Sequence, residues 1–158
     1  MSIEIRTIAP QETLPLRCEV LRSDQPISAS IYPGDDDSST QHWGVFRGND
    51  LIAVASIYQE ALSDLANIKI AITTGDIDST RCWRLRGMAV SPMFQGQGYG
   101  RKLLDCCLQS ANQQGGLLLW CNARTSASGF YNAAGFETAS SEFMIPDIGP
   151  HSVMLRLI

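Results

Sequence analysis

The sequence has 158 residues, a length typical of one compact domain, and we predict that residues 1–158 form a single domain. Its hydrophobic fraction of 44% and charged fraction of 18% are typical of a globular soluble protein, which excludes a disordered, fibrous or coiled-coil chain. The formal net charge of −4 argues against nucleic acid or an anionic membrane as a partner.

The first part of the chain is predicted to form a strand, a helix and an exposed loop. Ile3–Ile8 alternates apolar and polar residues, which indicates a half-buried strand. Pro10 then opens a helix. The apolar residues expected on its buried side are Leu14, Leu16, Val20 and Leu21. Residues 33–40 hold consecutive aspartates between a Pro-Gly turn and serines, and we predict that so polar a segment lies exposed.

A hairpin is predicted next in the chain. Its strands lie at 43–46 and 51–57, on either side of a turn at 47–50 that contains Gly-Asn-Asp. Residues 60–80 follow and are interpreted as a connection that carries one apolar stretch.

The second half is predicted to contain a strand–helix–strand unit. Residues 83–90 form its first strand, and the continuously apolar residues 117–121 form a second strand that is buried on both faces. Between them a glycine-rich turn at 95–100 leads into a helix. The apolar face of that helix is expected to comprise Leu103, Leu104, Cys107, Leu108 and Ala111. This order predicts a right-handed parallel crossover. A further helix and two strands complete the chain, near 126–134, 136–145 and 153–158.

The cysteines and the start of the chain bear on its location. Cys18, Cys82, Cys106, Cys107 and Cys121 form no Cys-x-x-Cys pair and have no histidine at ligand spacing. We therefore expect reduced thiols and no metal site. No basic region followed by an apolar stretch opens the sequence, and its longest apolar run is too short to span a bilayer. These features predict a cytoplasmic protein without a membrane partner.

The turn Gln95-Gly96-Gln97-Gly98-Tyr99-Gly100 is the main clue to function. Its glycines let backbone N–H groups face one point, and the helix that follows adds unpaired N–H groups and a partial positive charge. Such a turn is predicted to bind a phosphate or pyrophosphate, and a helix cap without a ligand is the alternative. The spacing fits neither a P-loop nor a dinucleotide fingerprint, whose third glycine comes one residue later.

Gly87 lies inside the strand that precedes this turn, where glycine marks a bulge or a close approach of a ligand to the backbone. A bulge would separate this strand from the strand at 117–121. It would also leave main-chain groups at 88–90 unpaired and able to bind an arm that contains amides. A diphosphate site beside an amide-binding strand matches the chemistry of coenzyme A.

These residues resemble the GNAT superfamily of acetyl-CoA-dependent N-acetyltransferases, most strongly over 83–136. The family's cofactor motif, Gln/Arg-x-x-Gly-x-Gly/Ala, is matched from Gln95 to Gly100. Its later motif is matched by Phe130-Tyr131 and Gly135-Phe136. The resemblance implies an α/β fold with layered α+β character: a mixed, mainly antiparallel sheet of six or seven strands, splayed central parallel strands, and three or four flanking helices.

The resemblance also implies the site residues. The pantetheine arm of acetyl-CoA is expected on the backbone of 88–90, and the pyrophosphate on amides from Gly96 to Arg101. The implied cofactor-binding residues are Met88, Ala89, Val90, Gln95, Gly96, Gln97, Gly98, Tyr99, Gly100, Arg101 and Asn122. Tyr131 is expected to be the general acid that protonates the departing thiolate, because a tyrosine with a pKa of about 10 stays protonated until it is needed. Simple packing between helix and sheet is the alternative for this tyrosine.

The base that accepts the proton of the amine is less defined. Many family members carry a glutamate on the strand before the cofactor turn, whereas this strand carries Arg84 and Arg86. The base is therefore open among His151, Glu142 and His42, of which His151 is favoured, with a water chain as another route. The two arginines share one face of the strand and are predicted to face solvent. The alternative is that they line the acceptor cleft and bind a carboxylate.

The resemblance implies direct transfer of an acetyl group from acetyl-CoA to a primary amine of a small molecule, peptide or protein. The transfer would need no metal and would proceed through a ternary complex, in a protein that pairs as a homodimer. Two functions of other classes remain as alternatives. One is a non-catalytic acyl-CoA-binding sensor or scaffold, and the other is a nucleotide-binding protein unrelated to acyl-CoA.

Overall fold

The structure is a computed structural model that describes residues 1–62 and 79–158. Its strands are β1 Ile3–Ile8, β2 Gln41–Arg47, β3 Asp50–Gln59, β4 Cys82–Val90, β5 Leu118–Arg124, β6 Glu137–Thr138, β7 Phe143–Ile145 and β8 Gly149–Leu157. Its α-helices are α1 Leu14–Leu21, α2 Tyr99–Gln113 and α3 Ser128–Ala133. The predicted hairpin is confirmed as β2 and β3. The predicted connection at 60–80 lies mostly outside the described residues.

The chain forms two compact units, residues 1–58 with 85–110 and residues 59–84 with 111–158. The first unit contains the strand order β1-β2-β3-β4, and the second contains β4-β5-β8-β6 with β7 paired to β8. Because the break falls within β4, this strand contributes to both units. The eight strands make one mixed, mainly antiparallel sheet, which confirms the predicted fold class.

Within residues 1–62 and 79–158 the sheet has eight strands rather than the predicted six or seven, because the segment predicted as one strand at 136–145 forms two. β6 pairs with the second half of β8, and β7 pairs with its start. Between β6 and β7, the side-chain oxygen of Ser140 accepts the N–H of Val153 at 2.8 Å and so replaces a backbone acceptor. β8 begins at Gly149 rather than 153, since a turn through Asp147 (φ 65°) folds β7 directly onto it.

The parallel ladder between β4 and β5 is short. It joins residues 82–84 to residues 118–120 in register and ends three residues before Gly87. The backbone of Gly87 has φ 69°, a left-handed conformation that favours glycine. The early end of the ladder agrees with the predicted irregularity at this glycine.

The apolar face predicted for α2 is confirmed. Its buried residues are Leu103, Leu104, Cys107, Leu108 and Ala111, none more than 7% exposed. The helix ends at Gln113, and Gly115 follows with φ 82°, as expected of a glycine that stops a helix. No helix within residues 1–62 and 79–158 is long and apolar enough to cross a membrane.

The first helix and the acidic loop differ from their predictions. Of the four apolar residues predicted on the buried side of α1, Leu16 is buried and the other three are half-buried. The side chain with no exposure at all is Arg17. In the loop at 33–40, predicted to be exposed throughout, Asp35 is only 6% exposed. The burial of Arg17 and the burial of Asp35 have one cause, which is the ion pair that these two residues form.

Candidate functional site

The glycine-rich turn before α2 has the open shape that its sequence predicts. Gly96 has φ 75° and Gly98 has φ 87°, so both need the conformational freedom of glycine. A Cβ atom added at either position would meet no atom within 4 Å. The backbone of this turn is therefore exposed to a ligand without side chains in the way.

The N–H groups of this turn are available to an anion. Lys102 donates its N–H to the carbonyl of Gly98 at 3.1 Å, which marks the first turn of α2. Within the described part of the chain, the N–H groups of Gly96, Gln97 and Gly98 donate to no protein acceptor. Unpaired amides at the start of a helix 15 residues long form a typical phosphate-binding arrangement. These amides are not capped by the protein itself.

Three side chains of the turn brace it rather than point away. Gln95 donates through Nε2 to the carbonyl of Val90 at 3.0 Å, and Gln97 donates through Nε2 to the carbonyl of Met93 at 3.2 Å. The ring of Tyr99 packs edge-on against Phe94, with 6.2 Å between centroids. The turn is therefore tied to the end of β4. The spacing of the glycines in the sequence did not predict these side-chain contacts.

Arg101 and the β4 backbone complete this half of the site. Nε of Arg101 lies 3.1 Å from Oδ1 of Asp105 in a half-exposed ion pair along α2. On β4, Ala89 is buried, whereas Met88 and Val90 are half-buried. All cofactor-binding residues predicted on 88–101 thus lie within the first unit, along one continuous segment.

The close approach predicted at Gly87 is made by the protein rather than by a ligand. A Cβ atom at this position would lie 2.8 Å from Nε of Arg17 and 3.2 Å from the ring of Tyr32. This glycine therefore serves two needs, its left-handed backbone and the space that Arg17 occupies. Its presence in β4 is explained without a bound cofactor.

Arg17 is the centre of a buried network in the first unit. Its guanidinium donates two hydrogen bonds to Asp35, at 2.8 and 3.1 Å, and one each to Ser56 and Tyr58. The hydroxyl of Tyr58 donates in turn to Asp35 at 2.6 Å. Burial by itself would raise the pKa of Asp35, but the hydrogen bonds from Arg17 and Tyr58 outweigh it and lower that pKa. Burial raises the pKa of Tyr58.

Tyr131, the predicted general acid, lies in the second unit and is 8% exposed. Its ring packs edge-on between Phe130, at 5.0 Å, and Phe136, at 5.4 Å between centroids. Gly135, with φ 87°, ends α3 and lets Phe136 return to this ring cluster. The aromatic-Tyr and Gly-Phe pairs of the sequence therefore build one cluster that fixes the ring of Tyr131.

The candidate bases differ in their surroundings. His151 is 4% exposed, donates Nδ1–H to the carbonyl of Gly149 at 2.8 Å, and stacks on Phe143. His42 is 4% exposed, and its two ring nitrogens contact Ser56 and the carbonyl of Asp35, so it belongs to the Arg17 network. 

The other two predicted residues of this half are more accessible. Glu142 is exposed and accepts a hydrogen bond from Thr125 at 2.9 Å. Asn122, predicted to bind the cofactor, is half-buried on β5 opposite Val153.

The two arginines of β4 do not simply face solvent, which corrects the prediction. Arg84 is ion-paired with Glu60 at 3.3 Å, and its guanidinium lies 4.9 Å over the ring of Trp120. Arg86 is half-buried, with its guanidinium 4.0 Å over the ring of Tyr32. Each cation is held against an aromatic face, an arrangement that the strand pattern alone does not indicate.

Three of the cysteines, Cys106, Cys107 and Cys121, are not activated as nucleophiles. Burial raises the pKa of Cys121 to about 12, although the charge of Arg84 opposes this in part. Burial also raises the pKa of Cys107 and of Cys106. Since the thiolate is the reactive form, these thiols do not favour an acyl-cysteine route. Among the described residues, no group of three or more His, Cys, Asp and Glu side chains could hold a metal ion.

Comparisons with known proteins give a consistent result. A sequence model described as "Acetyltransferase (GNAT) domain" matches residues 23–148. The uncharacterized N-acetyltransferase YitI of Bacillus subtilis is 30% identical over 156 residues, which cover 99% of this chain and 97% of that protein. The structure of Escherichia coli ElaA matches with a TM-score of 0.73 at 20% identity, over 98% of this chain and 99% of that one. An aminoglycoside 6'-N-acetyltransferase in complex with coenzyme A matches with a TM-score of 0.72 at 9% identity, over 98% and 96%.

Proposed function

The chain belongs to the GNAT family of acetyltransferases, and from that premise we propose that it transfers the acetyl group of acetyl-CoA to a primary amine. Acetyl-CoA would supply the activated thioester carbonyl that the amine attacks. The observation that carries the proposal is the open turn at Gly96 and Gly98, whose N–H groups find no acceptor in the described protein. A diphosphate supplies the oxygen acceptors that such a turn lacks.

The residues around this turn fit the rest of a coenzyme A molecule. Met88, Ala89 and Val90 offer main-chain groups to an amide-containing arm, and we propose Asn122 as a further contact to it. The Val90 carbonyl already accepts from Gln95, so the arm would use the other main-chain groups of this segment. An N–H of this segment, at Met88, would stabilise the developing oxyanion of the thioester carbonyl.

We assign Tyr131 the role of general acid. The ring cluster around it fixes its direction, and a neutral phenol can protonate a thiolate as the carbon–sulfur bond breaks. Burial raises the pKa of Cys106, Cys107 and Cys121, so these thiols do not compete as nucleophiles, which supports direct attack by the amine. His151 remains the base that the sequence favours, with its Nδ1–H directed to Gly149.

The acceptor would be the primary amine of a small molecule, peptide or protein. The structural neighbour that is an aminoglycoside 6'-N-acetyltransferase was solved with coenzyme A, which supports an acyl-CoA donor here. All five cysteines are free thiols, and we propose a cytoplasmic location, where thiols stay reduced. We retain the homodimer as part of the proposal.

The experiment measures binding first and turnover second. Coenzyme A at fractions of a millimolar should raise Tm, whereas NAD and ATP should not. Release of the thiol from acetyl-CoA is then followed with lysine, ethanolamine and spermidine as acceptors. Tyr131→Phe should slow turnover by about 10²–10⁴-fold with little change in Tm. Stabilisation without thiol release would favour the non-catalytic acyl-CoA-binding module, and stabilisation by ATP or NAD alone would refute both readings.

A further inference from the structure

Three arginine side chains meet the ring of Tyr32, and we call this group the Tyr32 arginine cluster. The guanidinium carbon of Arg86 lies 4.0 Å from the centroid of the ring, and that of Arg17 lies 4.2 Å from it. The guanidinium carbon of Arg22 lies 5.6 Å from the same centroid. All four residues belong to the first unit, and Tyr32 is only 5% exposed. The aromatic face thus gathers positive charge in a chain whose net charge is −4.

The charge of Arg17 is already neutralised. Its guanidinium donates to both carboxylate oxygens of Asp35, at 2.8 and 3.1 Å. The N–H of Tyr32 donates to the same carboxylate at 2.9 Å. The cluster therefore contains one example of a planar guanidinium that binds a carboxylate through two hydrogen bonds.

Arg22 has no such counter-ion. Among the ion pairs of the described residues, none includes its guanidinium. Its backbone is fixed at the end of α1, because its N–H donates to the carbonyl of Cys18 at 3.1 Å and its carbonyl accepts the N–H of Gln25 at 3.0 Å. The residue is half-buried. A partly desolvated cation in this position favours an anionic ligand, which would supply the missing opposite charge.

Arg86 places the cluster beside the segment proposed for acetyl-CoA. It precedes Met88 by two residues on β4, and two residues of extended chain span at most about 7 Å. Gly87 lies between them and packs against Tyr32, since a Cβ atom added there would lie 3.2 Å from the ring. The N–H of Met88 is the group proposed to meet the thioester carbonyl. An amine that attacked this carbonyl would therefore lie near the cluster.

We infer that the acceptor carries a carboxylate beside its amine, as an amino acid does, and that Arg22 and Arg86 bind this carboxylate. This inference rests on the proposed function and names its substrate class. A carboxylate offers two oxygens to a guanidinium, in the arrangement that Arg17 already forms with Asp35. In an α-amino acid the amine and the carboxylate are bonded to the same carbon atom. Binding of the carboxylate therefore holds the amine close to the thioester.

The same charges disfavour an amine that has no carboxylate. At neutral pH such an amine is a cation, and guanidinium groups repel it. An amino acid brings an anion that pairs with them, so the cluster discriminates by attraction and by repulsion together. The carboxylate takes no part in bond formation. Its recognition should therefore act on KM for the acceptor rather than on kcat.

The test compares three amino acids with the amines that remain when the carboxylate is removed: alanine with ethylamine, phenylalanine with phenethylamine, and lysine with cadaverine. In the best pair, the wild type should have a kcat/KM about tenfold or more higher for the amino acid. Arg22→Met and Arg86→Met should each raise KM for that amino acid by about 10–100-fold and change KM for the paired amine by less than about twofold. KM for acetyl-CoA, and the rise in Tm on adding coenzyme A, should stay as in the wild type.

Arg6→Met is the matched control. Arg6 also belongs to the first unit and lies over an aromatic ring, with its guanidinium carbon 4.0 Å from the centroid of Phe46. It lies on β1, however, and two other strands separate β1 from β4. This variant should match the wild type with every acceptor. Arg86→Lys, which keeps the charge but loses the planar fork, should recover part of the affinity that Arg86→Met loses.

The inference is overturned if the wild type uses each amine as well as its amino acid, or if Arg22→Met and Arg86→Met raise KM equally for both members of a pair. It is also overturned if Arg6→Met has the same effect. Phosphoethanolamine is compared with ethanolamine in the same assay, and a preference confined to the phosphate compound would show that the anion is not a carboxylate. Those outcomes leave the proposed function standing, whereas a wild type that neither binds coenzyme A nor releases thiol removes both.

Discussion

Removing one partner of the buried Arg17–Asp35 pair should strongly destabilise the fold, because the other charge stays buried without compensation. Arg17 has no exposed surface, and Asp35 is 6% exposed. Asp35→Ala would remove the acceptor of two hydrogen bonds from Arg17, one from Tyr58 and one from the N–H of Tyr32. It would also leave the charge of Arg17 buried without its counter-ion.

The size of the effect follows from this geometry. Breaking a buried ion pair by removing one partner costs about 3–5 kcal/mol, a large part of the roughly 5–15 kcal/mol by which domains are stable. In a chain of this length such a loss lowers Tm by roughly 10 °C. Urea unfolding followed by Trp fluorescence measures the free energy of unfolding. Asp36→Ala, in the same loop but exposed, is the matched control and should change it by less than about 0.5 kcal/mol.

A double variant separates charge burial from packing. Arg17→Met combined with Asp35→Leu removes both charges and should recover most of the stability that Asp35→Ala loses, because no unpaired charge remains buried. Equal, small losses in Asp35→Ala and Asp36→Ala would refute the reasoning. The reasoning would also fail if the double variant lost more unfolding free energy than Arg17→Met and Asp35→Leu lose when their separate effects are added.

Three further predictions follow from the same structure. The pKa of Asp35 is lowered in the folded protein. The ionised carboxylate therefore contributes to the free energy of unfolding above its pKa in the unfolded chain, about 4, and this contribution is lost as the pH falls further. In acid titrations the difference in unfolding free energy between the wild type and Asp35→Ala should narrow below about pH 4. Gly87→Ala should lower the free energy of unfolding by about 1–3 kcal/mol, because the new Cβ atom would lie 2.8 Å from Arg17 and the backbone φ is 69°. Gly96→Ala has a similar φ but lies in open space, so it should lower the free energy of unfolding by less in the same urea assay. Cys121, with its pKa raised to about 12 and its side chain buried, should resist iodoacetamide at pH 8 until the protein unfolds, and mass spectrometry that finds it modified in the native state would contradict this.

Local patterns predicted the elements that build the cofactor half of the candidate site. The alternation of Ile3–Ile8, the apolar face of α2 and the glycines at 96 and 98 each report on residues close together in the chain. Such patterns depend on backbone conformation and on which side of one element is buried. Both are properties that a short stretch of sequence carries by itself.

The weaker predictions involve residues whose surroundings come from elsewhere in the chain. The prediction that residues 33–40 lie exposed was wrong at Asp35, because the charge of this residue is compensated by Arg17, 18 residues earlier. The prediction of a single strand at 136–145 was wrong, because the side chain of Ser140 accepts a hydrogen bond from the N–H of Val153, 13 residues later. In both cases a distant partner overrode the local preference.

The amino-acid sequence by itself thus determined the family, the order of most elements and the glycine turn, since each is written in local periodicity or in a short motif. The tertiary structure alone decided where the charges go: Arg17 inward to Asp35, and Arg84 to Glu60, 24 residues before it. A buried or half-buried charge is stable only beside a partner that compensates its lost hydration, and which partner folding brings there is a property of the whole sheet.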